Sequence, residues 1–216
     1  MTDHDEKDTK FPLEQAEDDM EDVIEGDPEE VEEEPSDAVF QNGKGYVDSD
    51  SADRISQHGF YGTRLEDGRL EIEPVEVLHL LERKRIVLAT SEGKVADSAF
   101  VVNETLEEDS DVWIRYLVFR DLRSRGYAVR QGFGGGIGFP VYSRGERPGA
   151  AAANQLIYVL KEGVPISLHD LDIVTEIAAS SRKTLLFALV DQNGEVNYYR
   201  VAQASLREVG GTTNNE

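Results

Sequence analysis

The chain has 216 residues, with 44 acidic against 22 basic side chains and a formal net charge of −22. It contains no cysteine, which excludes a disulfide framework and any cysteine-based nucleophile or metal site. No apolar run approaches membrane-spanning length, and the first residues, MTDHDEKDTK, are too polar for a signal peptide. The expectation is a soluble, cytoplasmic protein of one or two domains with no membrane partner.

The charge is unevenly placed. Residues 1–37 hold eighteen Asp or Glu against Lys7 and Lys10, whereas the rest of the chain carries only −6. The stretch EDDMEDVIEGDPEEVEEEPSD has too few large apolar residues to offset chain entropy, so residues 1–38 read as a disordered acidic tail. Such a tail is either a solubilising arm or an RNA mimic competing for a basic surface. Arg outnumbers Lys fifteen to seven, which with the acid excess fits a protein adapted to high salt.

Residues 39–108 read as a small α+β unit. Phe60–Arg64 and Arg69–Ile72 flank a Glu-Asp-Gly turn at 66–68 and predict a hairpin. PVEVLHLLER predicts a helix entered through Pro74, and RIVLAT a strand; the residues after Ala96 give no clear period. A second unit, 109–216, opens with SDVWIRYLVFRDLRSRGY. This is a helix with Asp109 or Ser110 as its cap, Gly126 as its left-handed stop, and an apolar face of Val112, Trp113, Tyr116, Leu117, Phe119 and Leu122. Strands are expected near 127–131, 138–143 and 155–160. A helix capped by Ser167 follows, with Asp170 three residues on, and then a long hairpin of TLLFALVD and VNYYRVA turned at QNGE. The fold class is therefore mixed α/β.

GFGGGIG, residues 132–138, places five glycines in seven positions. Phosphate-cradling loops follow a strand and open a helix, and neither common glycine spacing can be drawn through this segment. It joins two strands and reads as a turn. His58, His79 and His169 lie in separate elements without metal-ligand spacing, so no metal and no cofactor is expected.

YLVFRDLRSRGYAVRQGFGGGIGFPVYSRG followed by SSRKTLLFALVDQNGEVNYYRV resembles the catalytic domain of the tRNA intron (splicing) endonuclease family, from about Val112 to Val201. The unit at 39–108 resembles a divergent form of the small N-terminal domain of the archaeal members. The resemblance implies a mixed-sheet endonuclease-like domain that cuts bulge-helix-bulge precursor tRNA without a metal. In the family a tyrosine activates a ribose 2′-hydroxyl, a histidine protonates the leaving 5′-oxygen, and a lysine steadies the phosphate. The products are 2′,3′-cyclic phosphate and 5′-hydroxyl ends. Here the tyrosine falls on Tyr142 and the lysine on Lys183. The histidine has no counterpart: its aligned position is Ala152, or Asn154 with the gap moved, and no histidine occurs between His79 and His169. An amide donates a hydrogen bond but transfers no proton at neutral pH. The family's arginine seven residues before the lysine is Glu176, which repels phosphate.

The assembly features of the family are intact. The turn DQNGE, with Asp191 and Glu195, matches the acidic loop that members insert into a basic pocket of a partner subunit. VNYYRVA, with Tyr198 and Tyr199, matches the strand used for side-by-side dimerisation. Residues 113–147 carry seven Arg against Asp121 and Glu146. Arg115, Arg120, Arg123 and Arg144, with Arg182 beside the lysine, are the expected RNA contacts. The sequence thus points to a structural, non-catalytic subunit partnered by itself or by a catalytic subunit. An active endonuclease and an RNA-binding module without a splicing role are the alternatives.

Overall fold

The computed structural model describes residues 34–132, 137–146 and 148–202. The acidic tail through residue 33, Phe133 with the glycines at 134–136, Arg147 and the chain after 202 lie outside the described residues, as does the side chain of His58. The first sheet holds six strands in the order β3-β4-β2-β1-β5-β6. These are β1 (Ser36–Gln41), β2 (Lys44–Val47), β3 (Thr63–Arg64), β4 (Leu70–Ile72), β5 (Ile86–Thr90) and β6 (Val95–Ala96). β1 runs parallel to β5 and the other pairs are antiparallel. Helices α1 (Ser49–Gly59), α2 (Pro74–Glu82) and α3 (Ser98–Thr105) belong to the same half of the chain.

The second half is built on α4 (Val112–Ser124), α5 (Leu168–Ser180) and a five-stranded sheet in the order β11-β10-β9-β8-β7. Its strands are β7 (Ala128–Val129), β8 (Ile137–Tyr142), β9 (Gln155–Lys161), β10 (Thr184–Val190) and β11 (Val196–Val201). Only the β9–β10 pair is parallel. α4 and α5 lie on opposite faces of this sheet. Phe139, Val141, Ile157, Leu186 and Ala188 join the core that contains α4, while Ile137, Leu156 and Leu185 pack with Val174 and Ala178 of α5.

Local chemistry fixes most element ends. Pro74 sits in the first turn of α2, where its missing N–H costs nothing, and Glu73 and Glu76 form a reciprocal capping box. Ser167 accepts from the Asp170 amide to open α5. Gly126, with φ +80°, takes the left-handed position after α4. α4 starts from Asp111 rather than from Asp109 or Ser110, because Asp109 Oδ1 accepts from the Asp111 amide and the Asp109 carbonyl from that of Val112. Gly132 is obligatory: its amide bonds the Gly138 carbonyl, and a Cβ there would stand 1.8 Å from the Ile137 carbonyl oxygen.

Several expectations are corrected. β1 begins at Ser36, not after residue 38, because Ala38 and Phe40 are buried and the Ser36 amide bonds the Arg85 carbonyl at 2.9 Å. The stretch after Ala96 is a helix, α3, capped by the Asp97 side chain. Trp113 is 45% exposed and leaves the buried face of α4, whose inward residues are Val112, Tyr116, Leu117, Val118, Phe119 and Leu122.

One apolar core runs through both halves. Val75, Val77, Leu78 and Leu80 of α2 share it with the inward residues of α4. Polar ties reinforce the junction. The Tyr116 hydroxyl donates to Glu82, and Arg130 donates to the carbonyls of Phe60 and Gly62 at 2.8 and 2.6 Å. Glu76 is buried and accepts from the amides of Gly62 and Glu73, and burial raises its pKa above the usual glutamate value. His79 is also buried here, and desolvation, with the Arg123 and Arg83 guanidiniums, lowers its imidazole from 6.5 to about 4.

The two groups tilt stability in opposite senses. Between about pH 4 and 6.5 the unfolded chain binds the His79 proton and the folded chain does not, so this contribution is full above 6.5 and is lost as pH falls through the window. Glu76, raised in the fold, acts oppositely as pH rises above the normal glutamate range. His79→Phe should remove the first effect. Denaturant midpoints at both ends of the window should differ less in the variant than in the parent, whose slope from this group reaches about 1.4 kcal/mol per pH unit. Equal pH dependence in the two proteins would refute a neutral buried imidazole.

Candidate functional site

The register of the second sheet gathers residues from distant parts of the chain at one end. Gln155 of β9 pairs with Val141 of β8 on one side and Thr184 of β10 on the other. One step beyond, the Asn154 amide donates to the Val141 carbonyl at 3.1 Å, and the Thr184 amide to the Asn154 carbonyl at 3.0 Å. Tyr142, Asn154 and Lys183 therefore stand side by side at the ends of three neighbouring strands. Side chains alternate along a strand, and Leu156 and Leu185, two residues further on, face α5. Asn154 and Lys183 take that same face, as does Tyr142, whose neighbour Val141 faces α4.

Lys183 is positioned by the end of α5. The Arg182 amide bonds the Ala179 carbonyl at 3.1 Å and the Lys183 amide the Ala178 carbonyl at 2.9 Å, the paired bonds of a Schellman cap. Arg182 occupies the left-handed position with φ +56°, where glycine is usual. This turn swings the chain straight into β10. Lys183 Nζ then donates to the Ala153 carbonyl, which draws the ammonium over the start of β9. Asn154 is exposed, and its side-chain amide donates to Ser143 Oγ at 2.6 Å. Ala152, two residues earlier, is exposed, and Glu176 lies exposed on α5.

The two histidines whose side chains are described lie elsewhere. His79 is buried between α2 and α4, and His169 is exposed in the first turn of α5, about 17 Å along that helix from its Lys183 end. Among the described residues, no group of three or more His, Cys, Asp or Glu side chains is set to hold a metal ion, and no helix is long and apolar enough to cross a membrane.

The arginines do not form one free face. Arg115 pairs with Asp109 at 2.8 Å and lies over the Phe139 ring. Arg120 pairs with Glu82 at 3.4 Å over Tyr116. Arg123 sits 4.7 Å from the Tyr61 ring centroid and donates to the Tyr127 carbonyl. Arg144 donates twice to the Arg125 carbonyl. Helical spacing exposed these residues in the sequence but could not reveal their partners.

Arg120 and Arg123 do open onto a cavity of about 400 Å³ between α2 and α4, which Arg83 and Lys84 also line, with His79, Glu82 and Ser124. Arg83 and Lys84 were missed as site residues. The basic triplet Arg83-Lys84-Arg85 in so acidic a chain was the available signal.

The hairpin residues separate into two roles. Asp191 Oδ1 accepts from the amides of Asn193 and Glu195 at 2.8 and 2.9 Å, so it builds the turn, whereas the Glu195 side chain is exposed. Tyr198 is turned into its own chain. Its hydroxyl donates to Asp121 on α4 at 2.7 Å, and burial raises its pKa. Tyr199, 53% exposed, is the outward aromatic of β11 and lies opposite Phe187, whose ring meets Tyr158.

The model of the tRNA intron endonuclease catalytic C-terminal domain matches residues 112–198, and that of the N-terminal domain residues 36–101. A protein of Methanothermobacter thermautotrophicus named tRNA-splicing endonuclease is 33% identical over 150 residues, covering 69% of this chain and 86% of the relative. One of the same name from Thermococcus gammatolerans is 32% identical over 155 residues, covering 70% and 90%. A longer one from Methanococcoides burtonii is 32% identical over 161 residues, and the match covers 74% of this chain but 44% of that relative. The α/β fold thus carries, one in each half, the two domains that these family models describe. The chain belongs to the tRNA intron endonuclease family.

The separate roles of the two hairpin acids can be measured. Asp191→Ala removes an acceptor of two backbone amides and should cost about 1 kcal/mol. Glu195→Ala should change stability by less than about 0.5 kcal/mol. Equal urea midpoints for the two variants would contradict the turn-building role of Asp191.

Proposed function

We propose that this protein is a structural, non-catalytic subunit in tRNA splicing, which binds precursor tRNA and assembles with itself or with a catalytic subunit of the same family. The observation that carries this reading is the side chain between Tyr142 and Lys183. Asn154 occupies the middle strand end, Ala152 precedes it, and neither holds a transferable proton. A tyrosine base and a lysine on the phosphate still leave a departing 5′-oxygen without an acid. Glu176 adds a negative charge on the helix packed against this face of the sheet.

A second reading rests on a specific observation. Tyr142 and Lys183 share a strand-end neighbourhood, and the Lys183 ammonium bonds a carbonyl rather than a carboxylate. That arrangement suits an active endonuclease using a different proton source. Cleavage of a bulge-helix-bulge RNA separates the two. The purified protein should form 2′,3′-cyclic phosphate ends about 10²–10⁴-fold more slowly than a histidine-bearing relative. Comparable rates would overturn the structural reading, and their loss in Tyr142→Phe would then assign the cut to this site.

Assembly follows from the hairpin and the cavity. The exposed Glu195 at the β10–β11 turn fits the basic cavity lined by Arg83, Lys84, Arg120 and Arg123 in another copy. Glu195→Lys would set like charges against each other in a desolvated contact, at a cost of roughly several kcal/mol. Light scattering should report a smaller particle for this variant at unchanged folding stability. An unchanged particle mass would reduce the hairpin to a simple turn.

A further inference from the structure

The basic cavity between α2 and α4 has a second acidic candidate, and it is already tethered beside it. β1 enters its sheet where the Ser36 amide bonds the Arg85 carbonyl, one residue from the cavity-lining Arg83–Lys84 turn. The chain preceding Ser36 thus leaves the fold at the rim of the cavity. Residues 29–34 read EEVEEE, with five glutamates and a valine. Glu32 is four residues from Ser36, a reach of up to about 14 Å.

The cavity wall is suited to carboxylates. It presents four cationic side chains against the one acid Glu82. The buried His79 forms part of the same wall. We propose that the acidic run at residues 29–34 docks into this cavity of its own chain. The tail is then neither a plain solubilising arm nor a general RNA mimic. It is an internal ligand of the junction between the two halves. Where the Asp191–Glu195 turn of another copy seeks the same cavity, a consequence that rests on the assembly reading above, the tail competes with it and sets a salt-dependent threshold for assembly. The docking itself lies within one chain and is tested without reference to RNA cleavage or to oligomer formation.

The absence of native cysteine makes a direct test available in the full-length protein. Glu32→Cys combined with Ser124→Cys places one thiol in the acidic run and the other on the exposed cavity rim. Oxidation should form an intrachain disulfide, read by gel mobility, at least about ten-fold faster at 0.1 M than at 1 M salt, because the screening length falls from about 10 Å to about 3 Å. Adding Lys84→Glu should slow it by a similar factor. Arg120→Glu serves as a second reversal if the first disturbs folding, which circular dichroism reports. Rates indifferent to salt and to both reversals would overturn the proposal. So would disulfides that form only between chains when the two single-cysteine proteins are mixed, which would place the run in a neighbour's cavity. Rapid Glu195→Cys to Ser124→Cys linkage between chains, with none from residue 32, would assign the cavity to the hairpin of a second copy.

Discussion

The first sheet has an apolar face covered by α2, and the second has one covered by α4, so neither half is closed until those two helices pack on each other. α2 buries Val75, Val77, Leu78 and Leu80, and α4 buries residues on both its sheet side and its α2 side. That helix pair is why Glu76 and His79 can be buried at all. Glu76 has amide donors from Gly62 and Glu73, while Arg130, from the second half, holds the carbonyls of Phe60 and Gly62 in place. Removing the second half would strip α2 of its neighbour and return two buried titratable groups to water. The cavity between α2 and α4 exists only because the helices meet with charged rather than apolar side chains at that end of the junction.

The same dependence of site on scaffold holds at the strand ends. Lys183 is placed by two backbone bonds at the close of α5 and by the parallel pairing of β10 with β9. Tyr142 is placed by the antiparallel pairing of β8 with β9. No side chain has to reach far, and a one-residue slip in either pairing would send Tyr142 or Lys183 to the α4 face.

Much of this was legible in the sequence because strong local signals agreed with the final packing. The 66–68 turn, Pro74, Gly126, Ser167 and the QNGE turn all lie where their chemistry demands, and the two long elements VWIRYLVFRDLRS and TLLFALV are a helix and a strand as read. The misses have physical reasons. β1 was hidden because alternation in SDAVFQ shows only once β5, nearly fifty residues later, lies beside it. α3 has little amphipathic pattern, since Val101 and Thr105 are its only fully buried residues. Trp113 is core-like by type, but its ring lies at the edge of α4 against Tyr116. The partners of the arginines were not legible, because spacing along a helix reports which way a side chain leaves and nothing of the Glu82, Asp109 or carbonyl oxygens that meet it.

The three residues at these strand ends differ in what the fold requires of them. Tyr142 and Lys183 are held in place by backbone features that the fold needs in any case: strand pairing, a helix stop, and the entry to a buried strand. Their mutual placement would survive the loss of any reaction. The middle position carries no such obligation. Asn154 is exposed, its backbone bonds are indifferent to side-chain type, and its amide contact to Ser143 is local. The residue that the scaffold leaves free is therefore Asn154, and under the proposed reading its amide, which donates hydrogen bonds but transfers no proton, is what separates a structural subunit from a catalytic one.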